Sequence, residues 1–153
     1  MFGKKKDIRV LLVDDEVEFV DTLAQRLKMR ELLVDTVYDG KQALSFIKKT
    51  EPDVIVLDLK MPELHGIDVL REIKKSKAHI QVIILTGHGT DRDEEEARKL
   101  GGFDFLRKPA DIDLLVAKIK EAFAEKLERA MTAITFAEEG VTDTAKRIIR
   151  KEE

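Results

Sequence analysis

The 153-residue chain predicts an α/β fold in which helices cover both faces of one parallel sheet. Short apolar runs rich in Val, Ile and Leu alternate with segments whose apolar residues have helical spacing. This alternation occurs five times, and turn residues or acids follow the apolar runs. Right-handed crossovers leave few topologies for such a chain, of which the flavodoxin-like strand order 2-1-3-4-5 is the commoner.

The first half of the chain contains three predicted strands joined by two amphipathic helices. The first strand (IRVLLV) is apolar except for one arginine, which is typical of a strand buried on both faces. The second strand is more polar and is expected nearer an edge of the sheet. The third (DVIVL) follows Pro52, which stops a helix. These elements span residues 8–13 (strand 1), 17–27 (helix 1), 32–38 (strand 2), 40–49 (helix 2) and 53–57 (strand 3).

The second half continues the alternation and ends in a long helix. The fourth strand (QVIIL) is apolar after its first residue, and the helix that follows it is very acidic. Two glycines end that helix, a short fifth strand follows, and Asp111 is placed to cap the last helix. The elements span residues 67–75 (helix 3), 81–85 (strand 4), 91–100 (helix 4), 103–106 (strand 5) and 112 onward (helix 5).

Composition bounds the class of protein. The hydrophobic content of 43% and charged content of 39% describe one soluble globular domain. A net charge of -3 shows no overall excess of basic residues of the kind that binds nucleic acid, so direct contact with nucleic acid is not expected. The cysteine count of 0 excludes disulfides and fits a cytoplasmic location. No apolar run approaches the ~20 residues needed to span a bilayer, so membrane insertion is not expected.

Polar residues gather where the predicted strands end. Strand 1 is followed by Asp14 and Asp15, strand 3 by Asp58, strand 4 by Thr86 and strand 5 by Lys108. In the order 2-1-3-4-5 these ends converge on one edge of the sheet. Carboxylates crowded in one pocket repel each other unless a cation lies among them, and oxygen ligands favour Mg²⁺. A carboxylate can also be a nucleophile that forms an aspartyl-phosphate, with a lysine and a hydroxyl to meet the phosphoryl oxygens.

Four segments together resemble the receiver domain of bacterial two-component response regulators. They match that family in order, in spacing and in the strand ends that they occupy, and they cover about residues 7–127. Each alone is a weak signal, whereas the set of four is specific. The segments are LLVDDE at residues 11–16, VLDLKMPELHG at 56–66, LTGHG at 85–89 and FLRKPAD at 105–111.

The resemblance implies a role for each residue of the site. Asp58 is the implied phosphoacceptor and also a Mg²⁺ ligand. Asp15 is the implied direct Mg²⁺ ligand, Asp14 acts through water, and the backbone carbonyl of Lys60 completes the protein's share of the coordination. Lys108 is expected to contact the phosphoryl group, with a cis peptide bond to the following proline placing its ammonium.

The resemblance also implies a switch. Thr86 is expected to move its hydroxyl toward the new phosphoryl oxygen, while the ring of Phe105 turns inward and changes the face formed by helix 4, strand 5 and helix 5. The expected function is a phosphorylation-dependent signalling switch with self-phosphorylation and self-dephosphorylation but no other enzyme activity. A sensor histidine kinase or phosphotransfer protein would supply the phosphoryl group, and an unidentified downstream protein would receive the signal.

Other interpretations stay open at this point. The acids at residues 14–16 could only cap and charge helix 1. The chain could instead be a Mg²⁺-dependent phosphatase with an Asp nucleophile, although such enzymes want a second acid at position 60, which is Lys. It could be a pseudo-receiver that is never phosphorylated, but the intact set of site residues argues against this. It could also be the receiver fragment of a longer transcription regulator.

The domain is expected to cover residues 1–127, with residues 128–153 forming an extension or a linker. Apolar residues from Val116 to Ala137 follow steps of three and four, so helix 5 is predicted to continue to about Glu139. Gly140 then breaks the pattern before a short final helix. The apolar stripe could pair with a second copy of the chain, so a homodimer through helix 5, or through the face of helix 4, strand 5 and helix 5, is possible.

Overall fold

The computed structural model describes residues 7–138 and contains one five-stranded parallel sheet. The sequence favours this architecture because fully apolar strands need cover on both faces, which the intervening helices provide. In chain order the elements are β1 (Arg9–Val13), α1 (Val17–Lys28), β2 (Leu33–Val37), α2 (Gly40–Lys49), β3 (Val54–Leu57), α3 (Gly66–Ser76), β4 (Gln81–Thr86), α4 (Asp91–Lys99), β5 (Asp104–Arg107) and α5 (Ile112–Glu138).

The strand order is β2-β1-β3-β4-β5, which confirms the predicted topology. In register, Val13 at the end of β1 lies beside Val37 of β2 and Leu57 of β3. On the other side of β3, Leu57 pairs with Ile84 of β4. The carboxyl ends of the central strands therefore lie side by side, so that the residues following them share one edge of the sheet.

Each face of the sheet has its own apolar core. Because side chains alternate along a strand, Leu11 and Val13 face α2, α3 and α4, whereas Val10 and Leu12 face α1 and α5. The strands β1, β3 and β4 are buried almost throughout. The edge position predicted for β2 from its polarity is confirmed, since its outer residues are exposed.

Helix α5 is fixed to the amino ends of the strands by buried polar contacts. The side-chain amide of Gln81 donates to the carbonyl of Ala122 at 2.9 Å. The Lys126 ammonium lies 2.6 Å from Oδ1 of the buried Asp53, whose Oδ2 accepts the backbone N–H of Arg9 at 2.9 Å. A buried carboxylate is costly unless it is paired in this way. These contacts hold the part of α5 around Ala122 and Lys126 at the end of the sheet opposite the predicted site.

Beyond the domain core, α5 continues as an exposed helix. Its apolar residues Leu127, Met131 and Ile134 are 37%, 66% and 56% exposed. The predicted continuation of this helix is confirmed as far as Glu138, and the predicted final helix lies outside the described residues. Within residues 7–138, no helix is long and apolar enough to cross a bilayer.

Most predicted element boundaries agree with the structure to within one or two residues. Helix α2 has the predicted bounds. Strand β5 begins at Asp104 and not at residue 103, because Phe103 belongs to the turn that enters the strand and packs partly buried beneath α5. Ends of this kind depend on individual hydrogen bonds that no apolar pattern records.

Candidate functional site

Asp58 lies directly after β3 and is buried, with 2% of its surface exposed. Its backbone N–H donates to the carbonyl of Val13 at 2.9 Å, so the end of β1 holds the residue in place. Its side-chain oxygen Oδ1 has no hydrogen-bond partner. A buried carboxylate oxygen without a partner is costly, and such an oxygen indicates a place for a ligand.

Two further carboxylates lie beside Asp58. Asp14 follows β1 and is also buried, and Glu16 stands exposed at the start of α1. One carboxylate oxygen from each of Asp14, Glu16 and Asp58 lies within 4.8 Å of the other two. Asp14 accepts the backbone N–H of Glu16 at 2.9 Å through Oδ1, a local turn that brings the Glu16 side chain back over the sheet edge.

Lys108 follows β5 and extends its ammonium into this group of acids. Its Nζ lies 2.7 Å from Oδ2 of Asp14 and 3.1 Å from Oε1 of Glu16. The ring of Phe19 on α1 lies beneath the ammonium, with its centroid 4.2 Å away. The backbone N–H of Lys108 donates to the Thr86 carbonyl at 2.9 Å, and the predicted cis peptide bond between Lys108 and Pro109 is confirmed.

Burial and charge shift the ionisation of this pair. Burial raises the pKa of Asp14, and the charge of Asp58 adds to this, although the hydrogen bonds from Lys108 and Glu16 oppose it. Burial acts to lower the pKa of Lys108, but the contact with Asp14 and the charge of Asp58 outweigh it and the pKa is raised. Lys108 is therefore a cation at neutral pH, and its partner Asp14 is a carboxyl group with a pKa above its ordinary value.

Thr86 ends β4 and is fully buried. Its hydroxyl oxygen accepts the backbone N–H of His88 at 3.3 Å. The ring of Phe105 is also buried and lies against the loop that follows Thr86: a Cβ added at Gly89 would stand 2.5 Å from Cζ of Phe105 and 2.8 Å from Cγ2 of Thr86. Thr86 and Phe105 thus share one tightly filled space, with the ring in an inward position.

Arg107 ties this loop to β5. Its guanidinium donates to the Gly89 carbonyl, lies 3.2 Å from Oδ1 of Asp91, and stands 5.5 Å from the centroid of the Phe105 ring. The two polar contacts are on the surface, where each contributes little alone. They fix the loop over the ring in the arrangement that the structure shows.

The loop that follows Asp58 returns close to the backbone of Asp58 and Leu59. Gly66, the first residue of α3, donates its N–H to the Leu59 carbonyl at 2.7 Å. A Cβ there would lie 2.4 Å from the Asp58 carbonyl oxygen, so only glycine fits. Between them Lys60 is exposed, and Glu63 adopts a positive φ of 67°. This turn holds Asp58 at the edge of the pocket.

Most of the predicted site residues come together, and one position differs from the expected arrangement. The structure gathers Asp14, Asp58 and Lys108, with Thr86 alongside at the end of β4. Asp15 is exposed, and the acidic group contains Glu16 in its place. The metal ligation predicted for Asp15 and for the Lys60 carbonyl stays a prediction.

Sequence reasoning missed two residues of the site. Glu16 was considered only as a possible cap, yet it occupies the N-cap position of α1 without a side-chain cap hydrogen bond and contacts Lys108 instead. Phe19 lies within predicted helix 1, and its residue type does not distinguish it from an ordinary helix residue. The only available signal was that residues three apart lie on the same face of a helix, so that Phe19 follows Glu16 toward the pocket.

The donor set fits a hard divalent cation. Three carboxylates lie within reach of one another, and one buried oxygen among them, Oδ1 of Asp58, has no protein partner. Mg²⁺ is commonly held by one or two carboxylates, with water and phosphate oxygens as its other ligands. No histidine or cysteine belongs to this group of described residues.

The strand order defines the protein as a flavodoxin-like α/β domain. Its acidic pocket lies at the carboxyl ends of the strands, beside the point where the strand order reverses, which is where such domains bind their ligands. The model of the response regulator receiver domain matches residues 10–120. The chain therefore belongs to the response regulator receiver family, whose members are the phosphorylation-dependent switches of two-component systems.

Relatives and solved structures agree with this assignment. The transcriptional regulatory protein CutR of Streptomyces coelicolor is 38% identical over 113 residues, which cover 74% of this chain and 52% of CutR. GlrR of Escherichia coli K12 is 35% identical over 120 residues, covering 78% and 27%. The chain thus spans about half of one relative and a quarter of the other. A receiver domain structure from Clostridium thermocellum is 36% identical with a TM-score of 0.74, covering 78% and 96%.

Proposed function

We propose that Asp58 of this receiver domain accepts a phosphoryl group and that the resulting charge switches the surface around β5. The observation that carries the proposal is the buried carboxylate of Asp58. Its Oδ1 has no partner, and one of its oxygens lies within 4.8 Å of an oxygen of Asp14, which contacts Lys108. An oxygen of Asp58 attacks the phosphorus of the donor, and the bond from phosphorus to the donor breaks. The electron pair of that bond stays on the imidazole nitrogen of a phosphohistidine or on the carboxylate oxygen of acetyl phosphate, and an aspartyl-phosphate remains.

Mg²⁺ bound among the acids would neutralise charge on the phosphoryl group and orient it. Asp58 and Asp15 are the proposed direct carboxylate ligands, with Asp14 acting through water and the Lys60 carbonyl completing the set, as the family resemblance suggests. Lys108 is the proposed cationic contact for a phosphoryl oxygen, which supports the reaction because a charge-assisted hydrogen bond strengthens as negative charge builds up. Asp14, Asp58 and Lys108 follow β1, β3 and β5 at one edge of the sheet, which supports these roles.

The proposed switch couples Thr86 to Phe105. When a phosphoryl oxygen is present, the Thr86 hydroxyl can donate to it. We expect this hydrogen bond to favour the inward position of the Phe105 ring, which the structure already shows, over an outward one. The lack of room beside Gly89, where an added Cβ would stand 2.5 Å from Phe105 and 2.8 Å from Thr86, supports this coupling, because both side chains pack closely around the same point of the loop. The face of α4, β5 and α5 is the surface proposed to change.

The supply of phosphoryl groups and the readout are proposals as well. A sensor histidine kinase or phosphotransfer protein is the proposed donor, and a downstream protein target or a further part of a longer regulator is the proposed recipient. That CutR and GlrR are transcriptional regulatory proteins longer than the matched region supports the second possibility. A cytoplasmic location belongs to the same proposal.

Acetyl phosphate tests the chemistry directly. Incubation of the chain with acetyl phosphate and Mg²⁺ is expected to add one phosphoryl group, seen by intact-mass spectrometry, because the small donor needs only the nucleophile and the cation. Chelation of Mg²⁺ with EDTA is expected to slow labelling at least about a hundred-fold. Sustained release of phosphate without any adduct would contradict the proposal and favour a phosphatase.

We propose in addition that residues 1–127 form the receiver domain and residues 128–153 an extension. The apolar residues Leu127, Met131 and Ile134, exposed on α5, support pairing of two chains through this helix. Sedimentation is expected to show a dimer for the full chain and a monomer for a chain ending at Leu127. If both chains sediment as monomers, pairing through the extension is contradicted. If both sediment as dimers, the interface lies instead on the face of α4, β5 and α5.

A further inference from the structure

Both carboxylate oxygens of Asp14 already have partners within the protein. Oδ1 accepts the backbone N–H of Glu16 at 2.9 Å, and Oδ2 accepts the ammonium of Lys108 at 2.7 Å. A divalent cation that takes Asp14 as a ligand, whether directly or through water, therefore competes with Lys108 for Oδ2. The ammonium and the metal are alternative cations for the same acid.

The contacts of Lys108 show where its ammonium can stay during this exchange. Among the described residues, its ion-pair partners within 4.0 Å are Asp14 and Glu16, and Asp58 is not one of them. The Lys108 side chain is only 12% exposed, so an ammonium that lost every anion would be left poorly solvated. Glu16, at 3.1 Å, is the second anion, and the Phe19 ring supports the ammonium from below.

We propose that Glu16 is a positioning residue that retains Lys108 beside the pocket when Asp14 binds the cation. Lys108 gives up Asp14 but keeps Glu16, and its ammonium then remains within reach of a phosphoryl group on Asp58. This inference rests on the proposed function for its consequence in phosphoryl transfer. Its binding step, however, concerns the unphosphorylated protein and can be measured separately.

The decisive experiment is a double-mutant cycle on Mg²⁺ binding, measured by calorimetric titration of the unphosphorylated full chain. Glu16→Gln is expected to weaken binding about three- to ten-fold, because the released ammonium then has no second anion. Lys108→Met alone is expected to tighten binding, since nothing competes for Asp14. In the Lys108→Met background, Glu16→Gln is expected to change affinity by less than about two-fold.

Glu16→Asp is the matched control, since it keeps the charge and shortens the side chain by one methylene. If reach to Lys108 is what matters, Asp behaves like Gln; wild-type affinity in the Asp variant would show a general charge effect and overturn the proposal. An equal loss from Glu16→Gln in both backgrounds would make Glu16 a ligand of the metal itself and would also overturn it. Lys108→Gln replaces Lys108→Met should the latter not fold.

Labelling with acetyl phosphate separates this inference from the proposed function. A wild-type chain that is labelled while Glu16 and Lys108 show no coupling in Mg²⁺ binding overturns the inference alone. A chain that shows the coupling but takes no label overturns the phosphoacceptor role of Asp58 and leaves the role of Glu16 standing.

Discussion

Asp58→Asn is expected to abolish phosphoryl uptake from acetyl phosphate. The amide is nearly isosteric with the carboxylate but lacks the anionic oxygen that attacks phosphorus, and catalysis lost with a nucleophile commonly exceeds a thousand-fold. The substitution also removes one of the crowded charges around Asp14. The fold is therefore expected to survive. Intact-mass spectrometry after incubation with acetyl phosphate and Mg²⁺ measures the loss.

Asp53→Asn is the matched control for this experiment. Asp53 is the other buried aspartate next to β3, but it precedes the strand and contacts Lys126 and the backbone of Arg9 at the opposite end of the sheet. The Asp53→Asn variant is expected to take up one phosphoryl group as the wild type does. Labelling that persists in Asp58→Asn, with circular dichroism showing a folded chain, would move the phosphoacceptor to another residue.

Gly66→Ala is expected to lower the free energy of unfolding by about 3 kcal/mol. The added Cβ would lie 2.4 Å from the Asp58 carbonyl oxygen and 2.6 Å from Cα of Leu59. Both contacts are with backbone, which cannot turn aside as a flexible side chain can. For a domain of this size the melting temperature should fall by roughly 6–12 °C, measured by thermal denaturation followed by circular dichroism.

Gly87→Ala provides the comparison, because a Cβ there meets only side-chain atoms of Lys108 at 3.8 Å and 3.9 Å, ordinary van der Waals distances. Its melting temperature is expected to stay within a few degrees of wild type. Equal melting temperatures for Gly66→Ala and the wild type would mean that the loop after Asp58 can relax away from the backbone. The close packing described for this loop would then be wrong.

The sequence alone determined the fold and most of the pocket. The largely apolar strands β1, β3 and β4 require cover on both faces. The segments between them have the apolar spacing of helices, which provide that cover, so few topologies remain. In that topology Asp14 and Asp58 follow adjacent strands, and Lys108 follows a strand two places further along the same sheet. Their convergence on one edge could therefore be predicted without coordinates. The edge position of β2 followed from its polar residues by the same reasoning.

Only the tertiary structure decided how the charges pair within the pocket. Spacing places a side chain at the correct edge of the sheet, but a rotamer and a turn of one or two residues decide which oxygen an ammonium reaches. Glu16 turns back to Lys108 because its N–H is held by Asp14, while Asp15 faces solvent. Contacts of about 3 Å between residues about 90 positions apart depend on the packing of the whole domain, which no local pattern in the sequence records.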